Sequence, residues 1–134
     1  MKLFCAYAFT GEDVDEVTSL MQLVIDSLSA KGHDVYCERF DRVATDMGAR
    51  GDMKSLFARV FEFIEEKDAV VVIVTSPSRS IGQLMEIGVA LNLNKPIYLF
   101  EHTSAEQSSY LSKLADKSFV WSSKEDLAKQ LKNV

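Results

Sequence analysis

Two hydrophobic periods alternate along this chain. Residues 2–9, KLFCAYAF, are a mostly apolar run ending in ThrGlyGluAsp, which predicts a strand giving way to a helix. From Asp13 to about Ala30, apolar residues recur at Val14, Val17, Leu20, Met21, Val24, Ile25 and Leu28, one stripe of a helix, and Gly32 suits its left-handed cap. DVYCE is then a short second strand, and Phe40 to Asp52 reads as a long, charged, glycine-containing loop. A helix follows from about Asp52 to Glu66, with Met53, Leu56, Phe57, Val60, Phe63 and Ile64 on one face.

The run AVVVIVT, residues 69–75, is β-branched and apolar on both faces, as a central parallel strand covered on each side requires. After SPSRS a helix is predicted from about Ile81 to Leu93, where Ser80 and Gln83 match a capping box in which each side chain satisfies an orphan amide. PIYLF predicts a fourth strand, about Ser104 to Ala115 a weaker helix, and SFVW a fifth strand. A last helix starts at the SerSerLysGlu signal of Ser122 to Glu125.

Strands alternating with helices imply right-handed crossovers and one parallel sheet. Residues 1–134 are therefore read as a single three-layer α/β domain, Rossmann-like, with the flavodoxin-like strand order 2-1-3-4-5. In such sheets ligands bind beyond the carboxyl ends of the strands, where the order reverses. That rule gathers Ala8 to Asp13, the Phe40 to Asp52 loop, and Ser76 to Glu86.

Composition adds limits. Hydrophobic residues make up 47% and charged residues 26%, an ordinary globular balance. No apolar run approaches the roughly 20 residues needed to cross a bilayer, and MKLFCAYAF makes a poor signal peptide, so a cytoplasmic protein without a membrane partner is expected. A net charge of −5 argues against binding a nucleic-acid polymer. Cys5 and Cys37 lack the spacing of a redox or zinc motif and read as reduced, buried strand residues. His33 and His102 are too scattered for a metal site, no phosphate-binding glycine loop is present, and no cofactor is expected.

Between Asp68 and Glu101 the only charged residues are Arg79, Glu86 and Lys95, which leaves Glu86 an isolated carboxylate in the most apolar third of the chain. Gly82, Val89 and Ala90 at helical spacing, with Gln83 beside it, would leave a gap above that carboxylate for a ligand. The plainer reading is a helix-end charge. Ser78, Arg79 and Ser80 offer the hydroxyls and guanidinium of an anion site, or else ordinary caps and turn chemistry. Tyr7 and Phe9, at the end of the first strand, either stack on a base or belong to the core.

Three segments, LFCAYAFTGED, DAVVVIVTSPS and above all SIGQLMEIGVALNLNKPIYLF, resemble the nucleoside 2-deoxyribosyltransferase superfamily, which includes 2'-deoxynucleoside 5'-phosphate N-hydrolases. Its members carry a GxxxELGxA-like helix followed by GKP and a strand. The resemblance implies that Glu86 is a nucleophile that cleaves an N-glycosidic bond through a glycosyl-enzyme, on a nucleoside or its 5'-monophosphate. It further implies a phosphate-contacting serine at Ser78 or Ser80, and a homo-oligomer. Two positions depart from the family. Val60 stands where an acidic residue is usual, with Asp52 eight residues earlier, about 12 Å away at helical rise. The first loop's phosphate-binding glycine, serine and arginine are replaced by Ala6, Tyr7 and Phe9.

Two other readings stand beside it. A TIR-like domain also places a glutamate six residues after a serine, as in Ser80 and Glu86, and would cleave NAD or serve as an interaction module. A non-catalytic nucleotide-binding protein is the other, favoured by Val60.

Overall fold

The computed structural model describes residues 1–8, 12–78, 80–105 and 109–134. Five parallel strands form one sheet in the order β2-β1-β3-β4-β5, as expected from the alternation of elements. They are β1 (Lys2–Tyr7), β2 (Asp34–Cys37), β3 (Ala69–Val74), β4 (Ile97–His102) and β5 (Lys117–Trp121). Every residue of β3 is buried, and it lies between β1 and β4 with Cys5 opposite Val71 and Val71 opposite Tyr98. β-branched side chains fill both faces of this central strand, where helices exclude water from each side.

The helices are α1 (Val14–Ser29), α2 (Arg42–Ala49), α3 (Met53–Glu66), α4 (Ile81–Asn92), α5 (Ser109–Leu114) and α6 (Lys124–Gln130). On one face of the sheet, Val17, Met21, Val24 and Leu28 of α1 and Leu127 of α6 pack on Leu3, Cys5, Val71 and Ile73. On the other, Leu56, Val60 and Ile64 of α3 and Ile87 and Ala90 of α4 pack on Phe4, Ala6, Val70 and Val72. The period of 2 in the strands sends alternate residues to these two cores. Asp13 caps α1, accepting from the Glu16 amide at 3.0 Å, and Gly32 adopts φ +88° in the turn that follows the helix.

Three local expectations need correction. The stretch from Phe40 to Asp52 is not a loop: Glu38–Phe40 form a 3-10 turn and α2 follows. Asp41 makes this possible. Its Oδ1 accepts from the amides of Val43 and Ala44 at 3.2 and 3.4 Å, while Arg59 of α3 pairs with it at 2.8 Å and Tyr36 donates at 2.6 Å. The second strand stops at Cys37, so Glu38 leaves the sheet. The segment predicted as a helix from Ser104 is a 3-10 turn over Thr103–Ala105, with α5 beginning at Ser109.

Cys5 and Cys37 are free, buried and opposite each other on neighbouring strands. The neighbouring Cys37 thiol, then burial, raises the Cys5 thiol above its ordinary range. Among the described residues no helix is long and apolar enough to cross a membrane.

Candidate active site

The chain leaves β3 through a polar turn and enters α4 at Ser80, whose hydroxyl accepts from the Gln83 amide at 3.3 Å. Only half of the predicted capping box forms. Instead of returning to the Ser80 amide, the Gln83 side chain donates to the carbonyls of Ile73 at 2.9 Å and Ala6 at 3.4 Å. These carbonyls sit near the carboxyl ends of β3 and β1, where the strand order reverses. A buried amide thus ties the start of α4 to the switch point and sets the next inward residue, Glu86, above it.

Glu86 is 5% exposed, and no side chain among the described residues hydrogen-bonds to its carboxylate. It lines a cavity of about 610 Å³. A helix-end charge would sit in water; this carboxylate has been removed from it. Burial pushes its pKa well above the usual carboxylate range, helped by the negative charge of Glu38 and by Cys37.

Glu38 lines the same cavity from the turn after β2. Its carboxylate is half-buried, it too has no hydrogen-bond partner among the described residues, and burial followed by the Asp41 charge raises its pKa. The sequence reading missed Glu38 because DVYCE runs through it as strand. The sheet rule that points to carboxyl ends of strands, applied to β2, was the signal that could have found it.

Tyr7, at the end of β1, contributes a half-buried ring to the wall, and burial, then Cys37 and Glu38, raises its phenol. Ser80 and Gly82 line the cavity, as do Met53, Leu56 and Phe57 of α3 and Ala44 of α2. Arg39 is the cation among the described lining residues, and its Nε donates to Thr18 at 2.9 Å. A wider groove of about 820 Å³ lies between α1 and α6, but its charges are solvated or paired, as Asp126 is with Ser122 and Gln130.

No model of a known protein family matches the chain, and no curated protein matches it in sequence. Solved structures do match. A CMP N-glycosidase from Clostridium botulinum superposes with a TM-score of 0.68 at 17% identity, over 100% of each chain. A 2-deoxyribosyltransferase from Bacillus psychrosaccharolyticus gives 0.68 at 20% identity, over 98% of this chain and 96% of that one. A conserved protein from Enterococcus faecalis V583 gives 0.61 at 21% identity, over 99% and 98%.

The chain shares the fold of these three proteins. In it, Val60 is fully buried in the core and does not line the cavity, and neither does Asp52, which precedes α3. The carboxylate that shares the cavity with Glu86 is Glu38, from the turn after β2. Of the two serines for which the resemblance implied a phosphate contact, Ser80 is at the cavity, whereas Ser78 is exposed and its amide donates to the Ser76 hydroxyl at 3.3 Å. Phe9 and Arg79 lie outside the described residues.

Proposed function

We propose that the protein cleaves the N-glycosidic bond of a nucleoside or nucleoside 5'-monophosphate, by hydrolysis or by passing the sugar to another base, with Glu86 as nucleophile. The observation that carries this reading is a carboxylate 5% exposed, without a hydrogen-bond partner among the described residues, lining a cavity of about 610 Å³ at the strand switch point. A cavity of that size holds a ligand of nucleoside dimensions. Two of the similar structures, a CMP N-glycosidase and a 2-deoxyribosyltransferase, support the same bond.

The chemistry suits the group. A Glu86 oxygen attacks the anomeric carbon as the bond to the base breaks, and the resulting glycosyl ester is opened by water or by a second base. Burial strengthens the attraction between the carboxylate and the developing positive charge of the sugar. Tyr7, Ser80 and Gly82 line the cavity; in this reading Tyr7 stacks on the base and the other two border the substrate. Nucleophile, proton donor and water complete the reaction without a cofactor.

We also propose a homo-oligomer. Ile81, 76% exposed, lies at the cavity wall, and Leu84, Met85 and Leu91 of the same helix are exposed as well. A second copy packed on α4 would cover these side chains and narrow the cavity mouth. Light scattering at working concentration checks this, and a monomer rules it out.

One chromatographic screen of the purified protein against nucleosides, their 5'-monophosphates and NAD tests the activity. Free base from a nucleoside or nucleotide is the expected result. Nicotinamide release from NAD would favour the TIR-like reading, and binding without turnover a non-catalytic one.

A further inference from the structure

We propose that Glu38 is the acid–base partner of Glu86: it donates a proton to the departing base and then takes one from the attacking water. The assignment rests on the glycosidic reading of Glu86 and on the placement of two carboxylates on one cavity. Both line it, and neither has a hydrogen-bond partner among the described residues. A structural carboxylate that leaves water is normally paired, as Asp41 is with Arg59 and Tyr36 next door. Glu38 has left water in part and, with no hydrogen-bond partner among the described residues, shares its cavity with another carboxylate, an arrangement that a ligand would satisfy.

Two carboxyls in one desolvated cavity resist ionising together, so the pair retains a proton beyond the ordinary carboxylate range. When a sugar is bound, the positive charge growing at its anomeric carbon favours the ionised form of the group attacking it. The proton then belongs on the other carboxyl. With Glu86 as the attacking group, Glu38 holds it.

The steps balance. The Glu86 oxygen bonds to the anomeric carbon, the carbon–nitrogen pair stays with the base, and the Glu38 proton goes to that nitrogen, giving free base and a glycosyl ester. Glu38, now ionised, removes a proton from water as the water oxygen bonds to the same carbon. The ester pair returns to Glu86. Nucleoside and water have become base and sugar, and both carboxyls are restored. Glu38 supplies from the turn after β2 the acidic group that Val60, buried in the core, cannot.

The test varies the leaving group's need for a proton. Nitrophenyl ribosides and deoxyribosides release nitrophenolate, a stable anion that needs no acid, unlike the base of a nucleoside. Glu38→Gln should lower kcat on the nucleoside by about 10²–10⁴-fold but on the nitrophenyl substrate by less than about 10-fold in the glycosylation step. A group that only shapes the cavity would lower both alike, and that result overturns the proposal. The unsubstituted protein gives a second reading: the alkaline limb of its pH profile should be present with the nucleoside and absent for nitrophenol release. The same limb on both substrates overturns the assignment. Glu86→Gln should abolish both reactions; if it does not, the nucleophile reading fails, independently of Glu38. Turnover of neither substrate by the parent overturns both.

Discussion

The side-chain amide of Gln83 donates to the carbonyl of Ile73 at 2.9 Å, a bond buried at the point where β1 and β3 part. Its second bond, to the Ala6 carbonyl at 3.4 Å, joins the ends of the two strands. Substituting Met keeps the volume but removes both buried bonds, at a cost of about 1–3 kcal/mol. Gln83→Met should therefore lower the urea midpoint by that equivalent. An unchanged midpoint would mean that water satisfies these carbonyls as well as Gln83 does.

A second prediction concerns the anchor of α2. Burial alone would raise the Asp41 carboxyl, but hydrogen bonds from Arg59, Tyr36 and the Ala44 amide, with the Arg59 charge, outweigh it and leave the carboxyl below its ordinary value. A carboxyl depressed in the folded state contributes stability above its unfolded pKa, and that contribution is lost as pH falls through the folded value. Asp41→Asn should thus cost about 1 kcal/mol or more near pH 7, from the weakened cap and lost ion pair. The difference from the parent should shrink below about pH 4, where the parent's own carboxylate becomes protonated. Urea titrations across that range decide it; a difference constant with pH would show that the charge is immaterial.

The strands and the helices α1, α3 and α4 were legible because each carries its own period: AVVVIVT is apolar on both faces, and Leu56, Val60 and Ile64 recur on one stripe. By contrast, α2 buries only Ala44 outright, and its start depends on Asp41, which is held by Arg59 eighteen residues later. No local pattern could reveal that contact. Isolation in an apolar segment marked Glu86, whereas Glu38 sits in an ordinary charged stretch and becomes notable only when the sheet brings β2 beside β1. The Ser80–Gln83 spacing matched a cap, but the side-chain amide of Gln83 bonds the carbonyls of Ile73 and Ala6, a contact between distant parts of the chain.

Glu12 predicts a substrate preference. Its Oε1 accepts from the hydroxyls of Ser76 at 2.8 Å and Thr75 at 3.1 Å, so the donors at the end of β3 already hold a negative group. A 5'-phosphate brought to that turn meets this charge; two unit charges about 6 Å apart repel by about 3 kcal/mol at an effective dielectric of about 20. The parent should therefore favour nucleosides over their 5'-monophosphates in kcat/KM. Glu12→Gln should narrow the ratio by about 10-fold or more, since each 1.4 kcal/mol is a factor of 10. A parent that prefers the monophosphate would show that the turn binds phosphate despite Glu12.

The last prediction separates stability from catalysis at Glu86. Its carboxyl is raised by burial, then by Glu38 and Cys37, so the folded state holds the proton more tightly than the unfolded chain does. Below the unfolded value, near pH 4, both states are protonated and no penalty arises. As pH rises above that value the unfolded chain ionises while the fold still holds its proton, so stability falls steadily until pH reaches the folded value, where the loss is complete. Glu86→Gln keeps the shape and removes that titration. The variant should match the parent's stability in acid and exceed it at neutral and alkaline pH, while base release falls by several orders of magnitude, because an amide cannot attack the anomeric carbon. Urea unfolding at several pH values, run beside an activity assay, reads both effects. If the variant is less stable than the parent at pH 8, Glu86 has a structural partner and is not held in reserve for a ligand. If it is more stable and still releases base at the parental rate, the carboxylate is buried but does not react.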